Sequence, residues 1–219
     1  IEIPNSVISI EMYAFRECDN LTNLTFEENS KLKRIGTKNE YHYYGEGAFY
    51  NCLGLTNIEI PNSVTYIGPS TFENCSNLTS ITFEENSQLD TISYNAFGYC
   101  YSLPSITIPE NVSFIESSVF GYCTALESIS VEEGNSVYDS RNNCNAIIET
   151  ETNTLIAGCQ NTLIPNSVTS IGNWAFYGCS NLTSIYCYAE NVQIDATNAY
   201  CPRSNNLLGS FCEYRRKGT

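Results

Sequence analysis

Polar and apolar positions along the chain recur in a fixed order. Residues 55–60 read Leu-x-x-Ile-x-Ile, and residues 78–83, 103–108 and 126–131 follow the same pattern. The end of each unit alternates apolar and polar, the period-two signature of a short, half-buried strand. A second apolar set follows, as in Val64, Ile67 and Phe72. The pattern Phe-x-x-Cys-x-x-Leu-x-x-(Leu/Ile) then leads into the next unit. It occurs at Phe15, Phe49, Phe72, Phe97, Phe120 and Phe176. One such strand cannot bury its own face, but stacked copies can.

Unit starts fall at residues 21, 55, 78, 103, 126, 159 and 182, with spacings of 34, 23, 25, 23, 33 and 23. The base period of 23 or 25 lies inside the leucine-rich-repeat range of about 20–29 residues. The 25-residue form carries Phe-Glu-Glu-Asn-Ser (26–30, 83–87), and the 23-residue form carries Ile-Pro-Asn-Ser-Val (60–64, 164–168) or Ile-Pro-Glu-Asn-Val (108–112). An insertion at 37–45 accounts for the first long spacing. A unit without the Ala-Phe-x-x-Cys step accounts for the second. In it, Ile147–Glu149 and Thr154–Ile156 flank Glu151-Thr152-Asn153, which predicts a β-hairpin budding from the stack. The expected fold is a leucine-rich-repeat solenoid, a right-handed superhelix with a parallel sheet on its concave face. Its convex segments are expected to be short and helical or irregular, with one inserted hairpin. The solenoid is expected over 1–192 in about eight coils, with the hairpin unit at 135–158 and a degenerate segment at 193–219.

The unit at 164–185, Ile-Pro-Asn-Ser-Val through Trp-Ala-Phe-Tyr-Gly-Cys-Ser-Asn-Leu-Thr-Ser-Ile, resembles the BspA-like leucine-rich repeat family. The hairpin-bearing stretch 135–168 resembles it too, and the likeness covers residues 1 to about 192. It implies a bacterial cell-surface or secreted protein whose role is adhesion to host proteins, cells or other bacteria. No signal-peptide pattern opens the chain, so the sequence is expected to start at a processed or internal point of a longer protein.

Charge narrows the partners. The net charge is −14, with ten Lys and Arg, which disfavours phosphate backbones and hence nucleic acid. No apolar run reaches the roughly 20 residues of a membrane-spanning helix. Four of the ten basic residues lie at Arg203, Arg215, Arg216 and Lys217, a short tail that carries no partner signal.

Eleven cysteines are present. Cys18, Cys52, Cys75, Cys100, Cys123 and Cys179 recur at one apolar phase, which predicts a reduced, buried column of small hydrophobes. Cys144 and Cys159 flank the hairpin at a place where pairing stays open. The acidic pairs Glu27-Glu28, Glu84-Glu85 and Glu132-Glu133 also share one phase. They read as a solvated acidic edge, because they skip a unit and lie too far apart for a calcium cage. No cofactor motif occurs. The single histidine, His42, leaves no Ser-His or Cys-His pair for catalysis, and the reading is non-enzymatic.

Candidate contact residues therefore lie on the exposed strand face and in the insertion. Polar positions of the strand repeat give one column of Asn23, Asn57, Ser80, Ser105, Ser128 and Ser184. A second column is Thr25, Glu59, Thr82, Thr107, Ser130 and Tyr186. This surface is small and hydroxyl-rich, whereas strong contacts usually involve Trp, Tyr or Arg. The aromatic anchors are Tyr186 and Tyr188 at its end, and Tyr41, His42, Tyr43 and Tyr44 in the insertion. A protein or glycan ligand is the expected partner, and a structural spacer within a longer surface protein is the alternative.

Overall fold

The computed structural model describes residues 1–38, 45–182, 185–190 and 192–194. Each coil has three sides. The Leu-x-x-Ile-x-Ile text forms the first strand row: Glu2–Ile3, Thr25–Phe26, Asn57–Ile60, Ser80–Phe83, Ser105–Ile108, Ser128–Val131, Leu163–Ile164 and Tyr186–Cys187. Alternation sets the faces. Ile58, Ile60, Ile106 and Ile108 are buried, while Glu59 and Thr107 face outward.

The first row is hydrogen-bonded in pairs of coils, not continuously. Glu2 pairs with Thr25, Asn57 with Ser80, Ser105 with Ser128, and Leu163 with Tyr186, all parallel. Each ladder spans a 23-residue coil. No ladder joins Ser80–Phe83 to Ser105–Ile108 across the 25-residue coil.

The second apolar set forms a strand row of its own. Ser9–Ile10, Arg34–Ile35, Tyr66–Ile67, Thr91–Ile92 and Phe114–Ile115 make one five-stranded parallel sheet. The helical option for the remaining segments is not taken: the described residues contain a single 3-10 turn, Arg141–Asn143, and no α-helix.

The Phe-x-x-Cys text forms the third side, built from turns instead of strands. The Phe49 N–H donates to the Thr71 carbonyl at 2.8 Å, Phe72 to Ala96 at 2.8 Å, and Phe97 to Val119 at 3.1 Å. The residue two after each Phe (Glu17, Asn51, Asn74, Tyr99, Tyr122, Gly178) has positive φ. This conformation costs about 1–2 kcal/mol for a residue with a side chain and is held by the rungs on both sides. Phe rings stack face to face along the axis, with centroids 5.0, 5.3, 5.7 and 5.8 Å apart from Phe15 to Phe120. The cysteine column lies beside them as free thiols, with Cys52, Cys75, Cys100 and Cys123 buried.

The hairpin interrupts this stack from within. Ala146–Glu149 pairs antiparallel with Thr154–Gly158, and the latter joins the second row by parallel pairing of Thr154 with Ser170 and Leu155 with Ile171. It is therefore integrated into the row and does not bud outward. Its alternating side chains serve two separate cores. Ile147 and Ala157 pack with the residues of the preceding coils, whereas Ala146, Ile148 and Leu155 pack with Ile164, Ile171 and Phe176. Gly158 stands where a Phe would, and a Cβ there would lie 2.3 Å from the Phe176 ring. Where the five-stranded sheet ends, the Ile115 N–H donates to the Tyr138 hydroxyl at 3.1 Å. Cys144 and Cys159 are both free and buried, and their thiols donate to the separate carbonyls of Ala146 and Asn145. The pairing left open by the sequence is not formed.

Candidate functional site

The exposed side of the first strand row changes character along the axis. Over the first six coils, Thr25, Glu59, Thr82 and Thr107 are exposed and Ser130 is half-buried. The register sets Glu59 beside Thr82 and Thr107 beside Ser130. The last two share a hydroxyl hydrogen bond of 2.9 Å. Mostly short, polar side chains make this a flat polar sheet. Asn145 of the hairpin unit closes it, accepting from Ser128 Oγ at 3.2 Å.

Beyond the hairpin the face becomes apolar. Leu163 occupies the column held elsewhere by Thr, Ser or Glu, and its register partner is Tyr186. Tyr186 and Tyr188 flank the buried Cys187, so both point outward, each 54% exposed. Asn142, Cys144, Leu163, Pro165, Asn166 and Tyr188 line a shallow groove here. The structure thus brings Tyr188 together with residues that sequence reasoning passed over. The signal for Leu163 was present, since the unit starting at residue 159 places it in the column of Glu59 and Tyr186.

Tyr41, His42, Tyr43 and Tyr44 lie outside the described residues, as does Ser184. Both edges of the insertion are anchored. The Gly45 N–H donates to Glu73 Oε2 at 3.2 Å, and the Lys38 ammonium lies 5.2 Å from the centroid of the Tyr66 ring. Glu73 is 4% exposed. Burial pushes its carboxyl above the usual range, against the hydrogen bond from the Gly45 N–H, which lowers it.

A further aromatic cluster was passed over in the sequence, although Tyr99 and Tyr122 share the position two after Phe97 and Phe120. Tyr99 stacks on Tyr122 at 4.7 Å, and Tyr177 meets Tyr122 and Trp174 edge-on at 4.9 and 4.8 Å. It forms because the coil bearing Phe120 bonds past the hairpin unit: the Tyr122 N–H donates to the Tyr177 carbonyl at 3.1 Å. Gly178 permits that approach, since a Cβ there would lie 2.2 Å from the Tyr122 nitrogen.

The acidic pairs have a structural task. Glu27, Glu84 and Glu132 accept from the backbone N–H of Asn5, Asn62 and Glu110 in the preceding coil, each at 2.9 Å. The first glutamate of each pair is thus a turn cap, and the solvated-edge reading holds for the exposed second members, Glu28, Glu85 and Glu133.

These repeat features match a known family. The model of the BspA type leucine rich repeat region matches residues 1–42, 42–150 and 157–205, in six copies. The chain belongs to the BspA-type leucine-rich repeat family. No curated protein matches the sequence. Among solved structures, the chain is similar to the pneumococcal vaccine antigen PcpA, with 26% identity and a TM-score of 0.74 over 89% of this chain and 46% of that one. It is also similar to a leucine-rich repeat protein from Bacteroides ovatus (29% identity, TM-score 0.59, 89% of this chain, 44% of that one). A leucine rich cell surface protein from Faecalibacterium prausnitzii is 25% identical, with a TM-score of 0.57 over 85% of this chain and 54% of the other. This BspA-type chain therefore spans about half the length of those proteins. No described helix is long and apolar enough to cross a membrane.

Proposed function

We propose that the chain is a non-enzymatic binding segment of a bacterial surface or secreted protein. It contacts a host or microbial protein, or a glycan, through the end of its first strand row. The observation that carries this reading is the change at Leu163, Tyr186 and Tyr188, where a half-buried leucine and two exposed tyrosine rings stand at positions held by Thr, Ser, Glu or Pro in the earlier coils. Aromatic side chains on a rigid strand contribute contact area at little entropic cost. Support for the location comes from the relatives, among them a protein described as cell-surface and another as a vaccine antigen.

The test is a binding screen against matrix proteins, epithelial cells and a glycan array, repeated with Leu163→Ser and Tyr186→Ser. Binding that falls at least about tenfold in these variants, equivalent to roughly 1.4 kcal/mol, supports the reading. Silence of the parent chain in all three screens counts against it. The spacer reading draws on the bland face of the first six coils. It gains if no strand-face substitution, Thr82→Arg and Thr107→Arg included, alters the activity of the whole surface protein.

A further inference from the structure

Four turns of this solenoid share one backbone geometry, and a carboxylate closes three of them. In each, the residue after an Ile-Pro step presents its N–H: Asn5, Asn62, Glu110 and Asn166. The first three donate to Glu27, Glu84 and Glu132, each lying 22 residues further on. In the fourth, the residue at that separation is Tyr188. Its backbone holds the same place: the Tyr188 N–H donates to the Ile164 carbonyl at 2.9 Å, just as Glu27, Glu84 and Glu132 donate to Ile3, Ile60 and Ile108 at 2.9–3.0 Å. Only the side chain differs. A ring bearing its oxygen at the far end does not cap the turn, and Tyr188 stands 54% exposed. Among the described residues, nothing accepts from the Asn166 N–H or from its side-chain amide. By contrast, the amides of Asn5 and Asn62 bond the carbonyls of Glu28 and Glu85.

Charge changes in the same direction. The three capped turns carry Glu-Glu pairs, and this one carries Tyr188-Ala189. A cation also stands beside it. Arg141, paired with Asp139, donates to Ser167 Oγ at 3.2 Å, one residue from Asn166. The open turn lacks both adjoining carboxylates of the capped turns, with Glu190 the next acidic residue, and its guanidinium neighbour is partnered by Asp139, so it repels an incoming anion less than the other three would.

We propose that the Asn166 turn is a carboxylate seat that receives an Asp or Glu side chain of a protein partner. The partner's carboxylate occupies the position that Glu84 fills in its own turn, and the adjoining residue packs on Tyr188 and Leu163. The proposal rests on the reading of this end of the strand face as a contact surface, and it supplies the ligand chemistry.

The test is an NMR titration of the whole chain, following the Asn166 amide. Three probes are used: the peptide Ser-Ile-Thr-Phe-Glu-Glu-Asn-Ser-Gln (this chain's own residues 80–88), the same peptide with both Glu replaced by Gln, and sialyllactose. The acidic peptide is expected to shift Asn166 downfield and to saturate, with the Gln peptide at least about tenfold weaker, because a charge-assisted hydrogen bond is roughly twice as strong as a neutral one. Tyr188→Glu restores an internal cap, so that variant is expected to melt at a higher temperature and to lose the peptide response. An unmoved Asn166, an equal response to both peptides, or a response to sialyllactose alone overturns the proposal. So does an undiminished response in Tyr188→Glu. Persistence of the ligand binding lost in Leu163→Ser, alongside a failed titration, rejects the seat while leaving the contact surface standing.

Discussion

The thiol of Cys75 donates to the carbonyl of Phe49, one coil earlier, at 3.2 Å. The same carbonyl accepts from the Cys52 N–H at 3.2 Å. Cys52, Cys100 and Cys123 repeat the contact on Phe15, Phe72 and Phe97 at 2.9, 3.3 and 3.0 Å. The cysteine column is thus more than small and apolar, since each S–H satisfies the second lone pair of a buried carbonyl. Cys75→Ala is expected to cost about 1–2 kcal/mol, combining a small cavity with the loss of one of the two hydrogen bonds to the Phe49 carbonyl. Urea denaturation checks it, with the slope unchanged.

Burial has a second consequence for these thiols. It pushes Cys52 up to about 11 and holds Cys75 and Cys100 well above the ordinary value of 9.0. The folded chain keeps their protons at a pH where the unfolded chain releases them. Their contribution is therefore intact below pH 9, and it is lost as pH rises from there through about 11, the value for Cys52. A pH series of chemical denaturation should show stability falling across that window. At pH 8 the buried members should resist iodoacetamide until the protein is unfolded.

Glu84 and Glu85 are neighbours with different fates. Glu84→Ala is expected to destabilise by about 1 kcal/mol through the lost cap, whereas Glu85→Ala should stay within about 0.5 kcal/mol. Thermal melts of the two variants separate a capping role from a general acidic edge.

Much of the fold was legible because its determinants lie within one repeat. Alternation at Ile58-Glu59-Ile60 marks the first strand row, and Phe72 with Cys75 marks the turn side. The second strand row was missed because each strand is two residues long, too short for a period to register. The Glu84–Asn62 cap was missed because its partners are 22 residues apart, in different coils. The hairpin's strands were readable, but its integration into the stack depends on Thr154 pairing with Ser170, a tertiary fact. At the candidate site, Tyr186 and Tyr188 were visible as exceptions in their columns. The groove around Asn166 required knowing which side chain failed to cap it.

Ile147 and Ile148 are adjacent in the chain yet belong to different cores. Ile147→Val and Ile148→Val are each expected to cost about 0.5–1.5 kcal/mol. In the double variant the costs should add within about 0.5 kcal/mol, because the two side chains share no packing partners. A coupling well above that would mean that the hairpin does not divide the core.

The most direct test of the functional account compares ligand or cell-surface binding by the parent chain, by Tyr186→Ser and by Thr82→Arg. Both substitutions lie on the exposed strand face, at opposite sides of the hairpin unit. The expected result is binding by the parent chain that drops at least about tenfold in Tyr186→Ser and is unchanged in Thr82→Arg. Binding unaffected by Tyr186→Ser but abolished by Thr82→Arg would contradict it.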